Sequence, residues 1–328
     1  MTRLSRIGDG LRGSMTALVT PFRGGAVDWA RLEALVDRQI VGGTDWLVPC
    51  GTTGESPTLS AREHDEVMEA VIAHSAGRCP VLAGTGSNNT TEAMRKTTHA
   101  ASAGADAALV VAPYYNRPTP EGLYRHFAAI AEAADLPIVL YNVPARTGIN
   151  IGNDVVVRLV ETCPNVVAIK HATGSVDDIT NLLNRCEVAV LSGDDSLTWP
   201  MMALGAVGVI SVVGNLCPSL LKSLVKEALE GNCPAAQRCH RKVYDLAESI
   251  GRYGPNPLPI KTAMAICGLL EEEFRLPLCP LDAKARTEIE QVLRRHELID
   301  TTSTALTPEA PAEAPASIPR SQREESIV

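Results

Sequence analysis

The sequence predicts an α/β fold: a TIM (β/α)8 barrel with a small C-terminal helical annex and a disordered tail. Eight short apolar runs alternate with segments of helical periodicity between residues 14 and 230. Strands that are buried on both faces are continuously apolar, and their alternation with helices indicates a parallel sheet. Eight such units favour a closed barrel, with an open doubly wound sheet as the structural alternative.

The predicted strands are short, and most of them end at a glycine, a proline or an asparagine, which break a strand pattern. They cover residues 14–20, 45–50, 79–83, 107–112, 137–141, 166–170, 188–192 and 208–212. Helical segments follow them at residues 28–41, 60–73 and 89–103, and from Thr119, Asn153 and Ser175. Ser60 with Glu63, and Ser175 with Asp178, have the spacing of a capping box, which predicts where two of these helices begin.

Four further helices follow the eighth strand. The first, at residues 218–230, closes the barrel, and those at 234–250, 257–270 and 282–296 form the annex. We therefore divide the chain into a lead-in (1–13), the barrel (14–230), the C-terminal helices (231–299) and a tail (300–328). The tail is rich in Thr, Ala, Pro, Glu and Ser. It buries too little apolar surface to offset its ordering entropy, so we expect it to be disordered.

Charge and composition argue against several functions. The net charge of −8 does not favour binding to nucleic acid or to an acidic membrane. We expect no membrane-spanning helix, because no apolar run reaches the ~18 residues required, and no secretory signal, because residues 1–13 lack an apolar segment. The nine cysteines are scattered without a Cys-x-x-Cys pair, so we expect no metal site and free thiols in a reducing cytoplasm.

Lys170 is the first candidate for chemistry, because it ends the sixth strand. Desolvation disfavours the ammonium form of a lysine in such a place and frees a nucleophilic amine, which can form a Schiff base with a ketone. The alternative is a structural lysine whose head group reaches the solvent or pairs with a carboxylate.

Other polar groups converge on the same rim, because the carboxyl ends of barrel strands meet at one face. The second strand ends in Gly-Thr-Thr-Gly-Glu (51–55), the fourth in Pro-Tyr-Tyr-Asn-Arg-Pro (113–118) and the fifth in Tyr-Asn-Val-Pro-Ala-Arg-Thr-Gly (141–148). Each has a structural explanation when taken singly. Together they suit a lysine that condenses with a 2-keto acid: amides and hydroxyls for its carboxylate, phenols for proton transfer, and an arginine for a second carboxylate.

These motifs, with Ile-Lys-His-Ala-Thr-Gly (169–174), Ser-Gly-Asp-Asp (192–195) and Pro-Asn-Pro-Leu-Pro-Ile-Lys (255–261), closely resemble the dihydrodipicolinate synthase family. This family belongs to the pyruvate-dependent class I aldolases, and the resemblance runs from about residue 14 to 296. It implies condensation of pyruvate with aspartate-4-semialdehyde in lysine and diaminopimelate biosynthesis. It further implies a covalent imine with no separate cofactor, and a homotetramer built as a dimer of dimers.

The resemblance also implies a set of catalytic residues. Lys170 would be the Schiff-base lysine. Tyr141, Thr52 and Tyr115 would form a proton relay, with Tyr115 reaching in from a neighbouring subunit.

Four more residues would bind the substrates in the same way. Thr53 would hold the pyruvate carboxylate, and Arg146 would bind the carboxylate of the semialdehyde. Gly193 and Ile210 would contribute backbone contacts near pyruvate.

Arg146 separates this family from its sugar-acid relatives, whose second substrate is a polyol aldehyde. A related aldolase that cleaves N-acetylneuraminate or a 2-keto-3-deoxy sugar acid is the alternative enzyme. A non-catalytic barrel that senses pyruvate or lysine is the alternative from another class. His171 departs from the acidic residue that is usual after the lysine; strand alternation points it away from Lys170, so we expect a structural role.

Residues of a lysine-binding allosteric site are also implied by the resemblance. They are Ser56, His64, Asn88, Glu92 and Tyr114. Glu92 could pair with the ammonium of a lysine effector. Ala61 and Pro57 depart from the pattern of lysine-sensitive members, which leaves inhibition by lysine open.

Overall fold

Eight short parallel strands form the centre of the fold. They are β1 (Gly13–Ala17), β2 (Trp46–Val48), β3 (Leu82–Gly84), β4 (Ala107–Val111), β5 (Ile138–Asn142), β6 (Val166–His171), β7 (Ala189–Ser192) and β8 (Gly208–Ser211). In the computed structural model, which describes residues 10–299, they pair in the order β2-β1-β8-β7-β6-β5-β4-β3. The parallel sheet follows from the apolar character of each strand, which needs cover on both faces.

The sheet closes on itself between β2 and β3. Leu47 bridges to Val81, the Leu47 N–H donates to the Pro80 carbonyl at 3.0 Å, and the Gly84 N–H donates to the Pro49 carbonyl at 3.0 Å. The predicted barrel is therefore confirmed, and the open doubly wound sheet is wrong.

Side chains fill the barrel rather than line a channel. Met15, Leu82, Leu109, Leu191 and Ile210 are buried together inside it. Such interior layers are the usual core of a β/α barrel. The site must therefore lie at the rim, where the strands end and the loops begin.

Each strand is followed by a helix. These are α1 (Trp29–Val41), α2 (Ala61–Ser75), α3 (Thr90–Ala103), α4 (Pro120–Ala133), α5 (Asn153–Thr162), α6 (Asp177–Leu183), α7 (Thr198–Ala203) and α8 (Pro218–Leu229). The capping box predicted at Ser60 is confirmed: its hydroxyl accepts from the Glu63 N–H at 3.2 Å, and the Glu63 carboxylate accepts from the Ser60 N–H at 2.9 Å.

The capping box predicted at Ser175 is wrong. Helix α6 begins at Asp177, and Val176 occupies its N-cap position without a side-chain cap bond. Ser175 instead donates its backbone N–H to the Thr173 hydroxyl at 3.2 Å. The hydroxyl of Thr173 thus organises this turn, so the Ser-to-Asp spacing alone misplaced the start of the helix by one residue.

Three helices form the annex: α9 (Cys233–Gly251), α10 (Leu258–Ile266) and α11 (Ala283–Arg295). They share one apolar core with the last part of the barrel, in which Leu224 of α8 packs with Leu246, Met264 and Leu293. The division between barrel and annex at residue 230 stays a prediction. The tail predicted to be disordered and most of the lead-in lie outside the described residues.

Within residues 10–299 no helix combines the length and the apolar character that crossing a membrane requires. All nine cysteines fall in this part of the chain, and none of them forms a disulfide there.

Candidate active site

Lys170 lies near the carboxyl end of β6 with only 5 % of its surface exposed. Tyr141 stands opposite it in register on β5. The Lys170 Nζ lies 4.3 Å from the centroid of the Tyr141 ring. The pairing of two parallel strands therefore packs a buried amine against the ring face of a tyrosine.

Gly193 leaves space beside this lysine. A Cβ atom at position 193 would lie 3.1 Å from Cε of Lys170 and 2.6 Å from Cβ of Ala172. Any side chain there would collide with the wall that carries the lysine. A glycine after β7 therefore keeps the backbone close to the amine and free to contact a small bound molecule.

Two carboxyl groups follow Gly193. Burial raises the pKa of Asp194 and of Asp195, and the nearby Lys170 charge opposes both shifts. Asp195 accepts from the Ser211 hydroxyl at 2.5 Å and from the N–H groups of Val212 and Val213 at 3.0 and 2.9 Å. Asp195 therefore fixes the loop that follows β8, and with it the backbone beside the buried Ile210.

The turn after β2 carries the two threonines. Thr52 lies on the wall of the cleft, and the neighbouring Thr53 is 2 % exposed. The Thr53 hydroxyl accepts from the Asn256 side-chain amide at 3.0 Å. The Gly54 carbonyl accepts from the Thr20 hydroxyl at 2.7 Å. The turn is thus held at Thr53 and at Gly54.

A cleft of about 280 Å³ opens at this end of the barrel, and we call it the rim cleft. Its walls are Cys50, Gly51, Thr52, Ser56, Pro57, Gly84, Gly86, Lys96, Leu109, Val111, Tyr114, Tyr141, Val143, Arg146 and Thr147. Arg146 is exposed at its mouth and donates from Nη2 to the Asn256 carbonyl at 3.0 Å. The structure therefore brings Thr52, Tyr141 and Arg146 to one cavity, with Lys170 against Tyr141.

Tyr115 is not in this cavity. It is 89 % exposed, and its backbone has a φ of +71°, in the left-handed region that few side chains tolerate. Its N–H donates to the Thr147 carbonyl at 3.3 Å, which holds the loop while the side chain projects away. A single chain therefore does not bring Tyr115 to its own Lys170.

Two of the five residues of the implied lysine site line the rim cleft, and the other three do not. Ser56 and Tyr114 line the rim cleft. His64 is buried, and burial lowers its pKa to about 4. Asn88 accepts through its carbonyl from the Asn116 side chain at 2.9 Å.

Glu92 already has a cationic partner. Arg95 donates to its two carboxylate oxygens at 3.0 Å each and also binds Asp65 at 2.8 Å. Hydrogen bonds from Arg95 lower the pKa of Glu92. The carboxylate expected to receive an effector's ammonium is therefore occupied by a neighbour on α3.

His171 lies on the other face of β6 from Lys170. It is buried, and its Nδ1 lies 3.4 Å from the Thr173 hydroxyl. Together with Asp178 and Arg185 it lines a small polar cavity on the helix side. Burial lowers its pKa, with Asp178 opposing. The side chain therefore points away from Lys170, as expected, and the structural role of His171 stays a prediction.

Two residues of the site carried no assigned role in the sequence. Asn256 contacts both Thr53 and Arg146, although only its membership of the 255–261 motif singled it out. Lys96 on α3 lines the rim cleft, and burial lowers the pKa of its ammonium. A lysine within an otherwise ordinary helix offers no sequence signal for this position. Among residues 10–299, no cluster of three or more His, Cys, Asp or Glu side chains could hold a metal ion.

Comparisons with a family model, with curated proteins and with solved structures all point to one family. Residues 10–296 match the model of the dihydrodipicolinate synthetase family. A 4-hydroxy-tetrahydrodipicolinate synthase of Pelobacter propionicus is 50% identical over 290 residues, which is 88% of this chain and 99% of that protein.

The solved structures that resemble this chain include members of the same family. The dihydrodipicolinate synthase of Aquifex aeolicus has a TM-score of 0.86 and 46% identity, and the match covers 87% of this chain and 98% of that one. The enzyme of Cyanidioschyzon merolae, solved with lysine bound, has a TM-score of 0.85 and 38% identity over 88% and 99% of the two chains. This chain therefore belongs to the dihydrodipicolinate synthetase family.

Proposed function

We propose that this chain condenses pyruvate with L-aspartate-4-semialdehyde to give 4-hydroxy-tetrahydrodipicolinate, in the biosynthesis of diaminopimelate and lysine. The observation that supports it most is the buried amine of Lys170, which lies 4.3 Å from the centroid of the Tyr141 ring, together with the cleft that Tyr141 and Arg146 both line. The activity named for two relatives, which are 50% and 46% identical to this chain over nearly their full length, supports the same reaction.

Chemistry would begin at Lys170. Its neutral Nζ attacks C2 of pyruvate, and the keto oxygen leaves as water after it has been protonated, which gives an imine. Loss of a methyl proton makes an enamine, whose carbon attacks the aldehyde of the second substrate. The amino group of that substrate then attacks C2, releases Lys170 and closes the ring. The protonated imine is the electron sink, so the proposal needs no further cofactor.

The remaining rim residues have roles that follow from their chemistry. We assign proton transfer to Tyr141, Thr52 and a Tyr115 from a neighbouring subunit, because phenols and hydroxyls can pass protons in both directions. Thr53 and the 51–54 backbone would hold the pyruvate carboxylate. Gly193 and Ile210 would contribute backbone contacts.

Assembly is part of this proposal. Since Tyr115 projects away from its own site, the relay requires at least a dimer, and we propose the homotetramer of the family. We further propose a cytoplasmic location, because nine cysteines without a disulfide among residues 10–299 suit a reducing compartment.

Arg146→Ala should affect the two substrates differently. We expect kcat/KM for the semialdehyde to fall by roughly a hundredfold, because the carboxylate loses a charge-assisted pair in a partly closed cleft. The pyruvate concentration that half-saturates Lys170 should change little. Steady-state kinetics with each substrate varied in turn measures both. Arg146→Lys, which keeps the charge without the planar fork, should recover part of the loss. Equal weakening of both substrates would mean that Arg146 is structural.

Lysine should inhibit this enzyme weakly. An ammonium that binds Glu92 must first displace Arg95, which holds both oxygens. Arg95→Gln should therefore strengthen inhibition by roughly twofold to fivefold, the range of a partly exposed ion pair. A coupled assay with both substrates, titrated with lysine, measures this. Arg125→Gln is the matched control, because it removes an exposed arginine–glutamate pair on α4. Unchanged inhibition in Arg95→Gln would remove Glu92 from the effector site.

A further inference from the structure

The turn between residues 50 and 55 is held in an unfavourable backbone conformation at both ends. Cys50 has a φ of +57° and Glu55 a φ of +53°, and neither is a glycine. Left-handed conformations of such residues persist where the surroundings hold them, and they cluster at functional sites. Thr52 and Thr53 lie between these two positions. Their placement therefore depends on whatever holds Glu55.

Lys261 of the annex holds Glu55. Both side chains are fully buried, and Lys261 Nζ donates to the Glu55 carboxylate at 2.5 Å. The same ammonium donates to the Thr20 carbonyl at 3.0 Å and to the Glu273 carbonyl at 2.7 Å. All three N–H groups of the lysine are thus used.

Further contacts fix the same pair. The second Glu55 oxygen lies 3.4 Å from the Arg275 N–H, and the ring centroids of Phe22 and Phe274 lie 4.5 and 4.9 Å from Lys261 Nζ. A buried ion pair contributes little net stability compared with apolar side chains of the same size. Its fixed geometry therefore calls for another explanation.

We propose that Glu55 and Lys261 are positioning residues for the reaction. Their buried ion pair holds residue 55 in the left-handed conformation and so presents Thr52, Thr53 and the turn amides to the pyruvate carboxylate. The annex thereby becomes part of the active site without touching substrate. This inference rests on the proposed role of the 51–54 turn in binding pyruvate.

Two double variants test it. Glu55→Ala/Lys261→Met and Glu55→Gly/Lys261→Met both remove the ion pair without leaving a lone buried charge. They differ in that glycine adopts a positive φ freely, whereas alanine does not. We expect the alanine variant to need at least about tenfold more pyruvate for half-maximal borohydride trapping, and the glycine variant to recover to within about threefold of the parent.

The trapping is done on the full-length chain, with thermal unfolding followed in parallel. Lys222→Met is the control, because it breaks a lysine–carboxylate pair with Asp45 at the other end of the barrel. Its half-saturation by pyruvate should equal that of the parent. A purely structural ion pair would lower the melting temperature of the two double variants without separating them in pyruvate binding.

Half-saturation equal to the parent in both double variants overturns the inference, as does an equal rise in both. If neither folds, Glu55→Gln/Lys261→Met decides: it removes the ion pair, leaves no lone buried charge and keeps the size of the side chain at position 55, and an unchanged half-saturation contradicts the positioning role. If borohydride traps no pyruvate imine on the parent enzyme, the proposed function itself is contradicted. The two failures are therefore distinct.

Discussion

Lys170→Met should lower kcat by at least about a thousandfold, because the covalent route through this amine is lost. The stability of the fold should not fall with it. Lys170 is almost completely buried, and methionine fills the same volume without a group that must be desolvated. We therefore expect a melting temperature equal to or above that of the parent.

Activity and thermal unfolding, measured on the same preparation, check this combination. Lys222→Met is again a suitable control, because it removes a half-exposed lysine far from the rim and should leave kcat unchanged. A Lys170→Met enzyme with more than about a tenth of the parental kcat would contradict a covalent mechanism.

Tyr141→Phe should lower kcat by roughly a hundredfold to a thousandfold, the usual contribution of a positioned acid–base group. The ring still packs 4.3 Å from Lys170, so the fold and the access of pyruvate to the amine should persist. The expected signature is a slow approach to the trapped imine, with an almost unchanged final extent. Single-turnover trapping with borohydride measures both quantities.

Tyr124→Phe provides the matched control for Tyr141→Phe. This tyrosine donates to the Thr162 hydroxyl on the outer helices and should be kinetically silent when altered. If Tyr141→Phe forms the imine at the parental rate, the phenol takes no part in imine formation, and the relay must begin elsewhere.

The barrel could be predicted because its local pattern is strong. Each strand is an apolar run, each helix has its own periodicity, and eight repeats leave few ways to arrange them. The rim residues followed from the same rule, since Tyr141 and Lys170 lie near the carboxyl ends of strands and Thr52 lies in the turn after one. Local patterns were less reliable where two hydroxyls competed for one turn, as at Thr173 and Ser175.

The long-range contacts that hold the active-site residues in place could not be predicted in the same way. Asn256 and Thr53 are 203 residues apart, and Lys261 and Glu55 are 206 residues apart. Contacts at such separations leave no periodicity in the sequence. The left-handed conformations of Cys50 and Glu55 could not be predicted from the sequence either, because these residue types do not suggest a positive φ.

Borohydride trapping with pyruvate, followed by tryptic peptide mapping, tests the central claim most directly. Reduction of the imine fixes one pyruvate-derived group on the lysine and blocks cleavage there. We therefore predict a single modified peptide spanning residues 159–185, with Lys170 at its interior and a mass increase equal to one reduced pyruvate. An unmodified Lys170, or an adduct on Lys96 or Lys261 instead, would contradict the account.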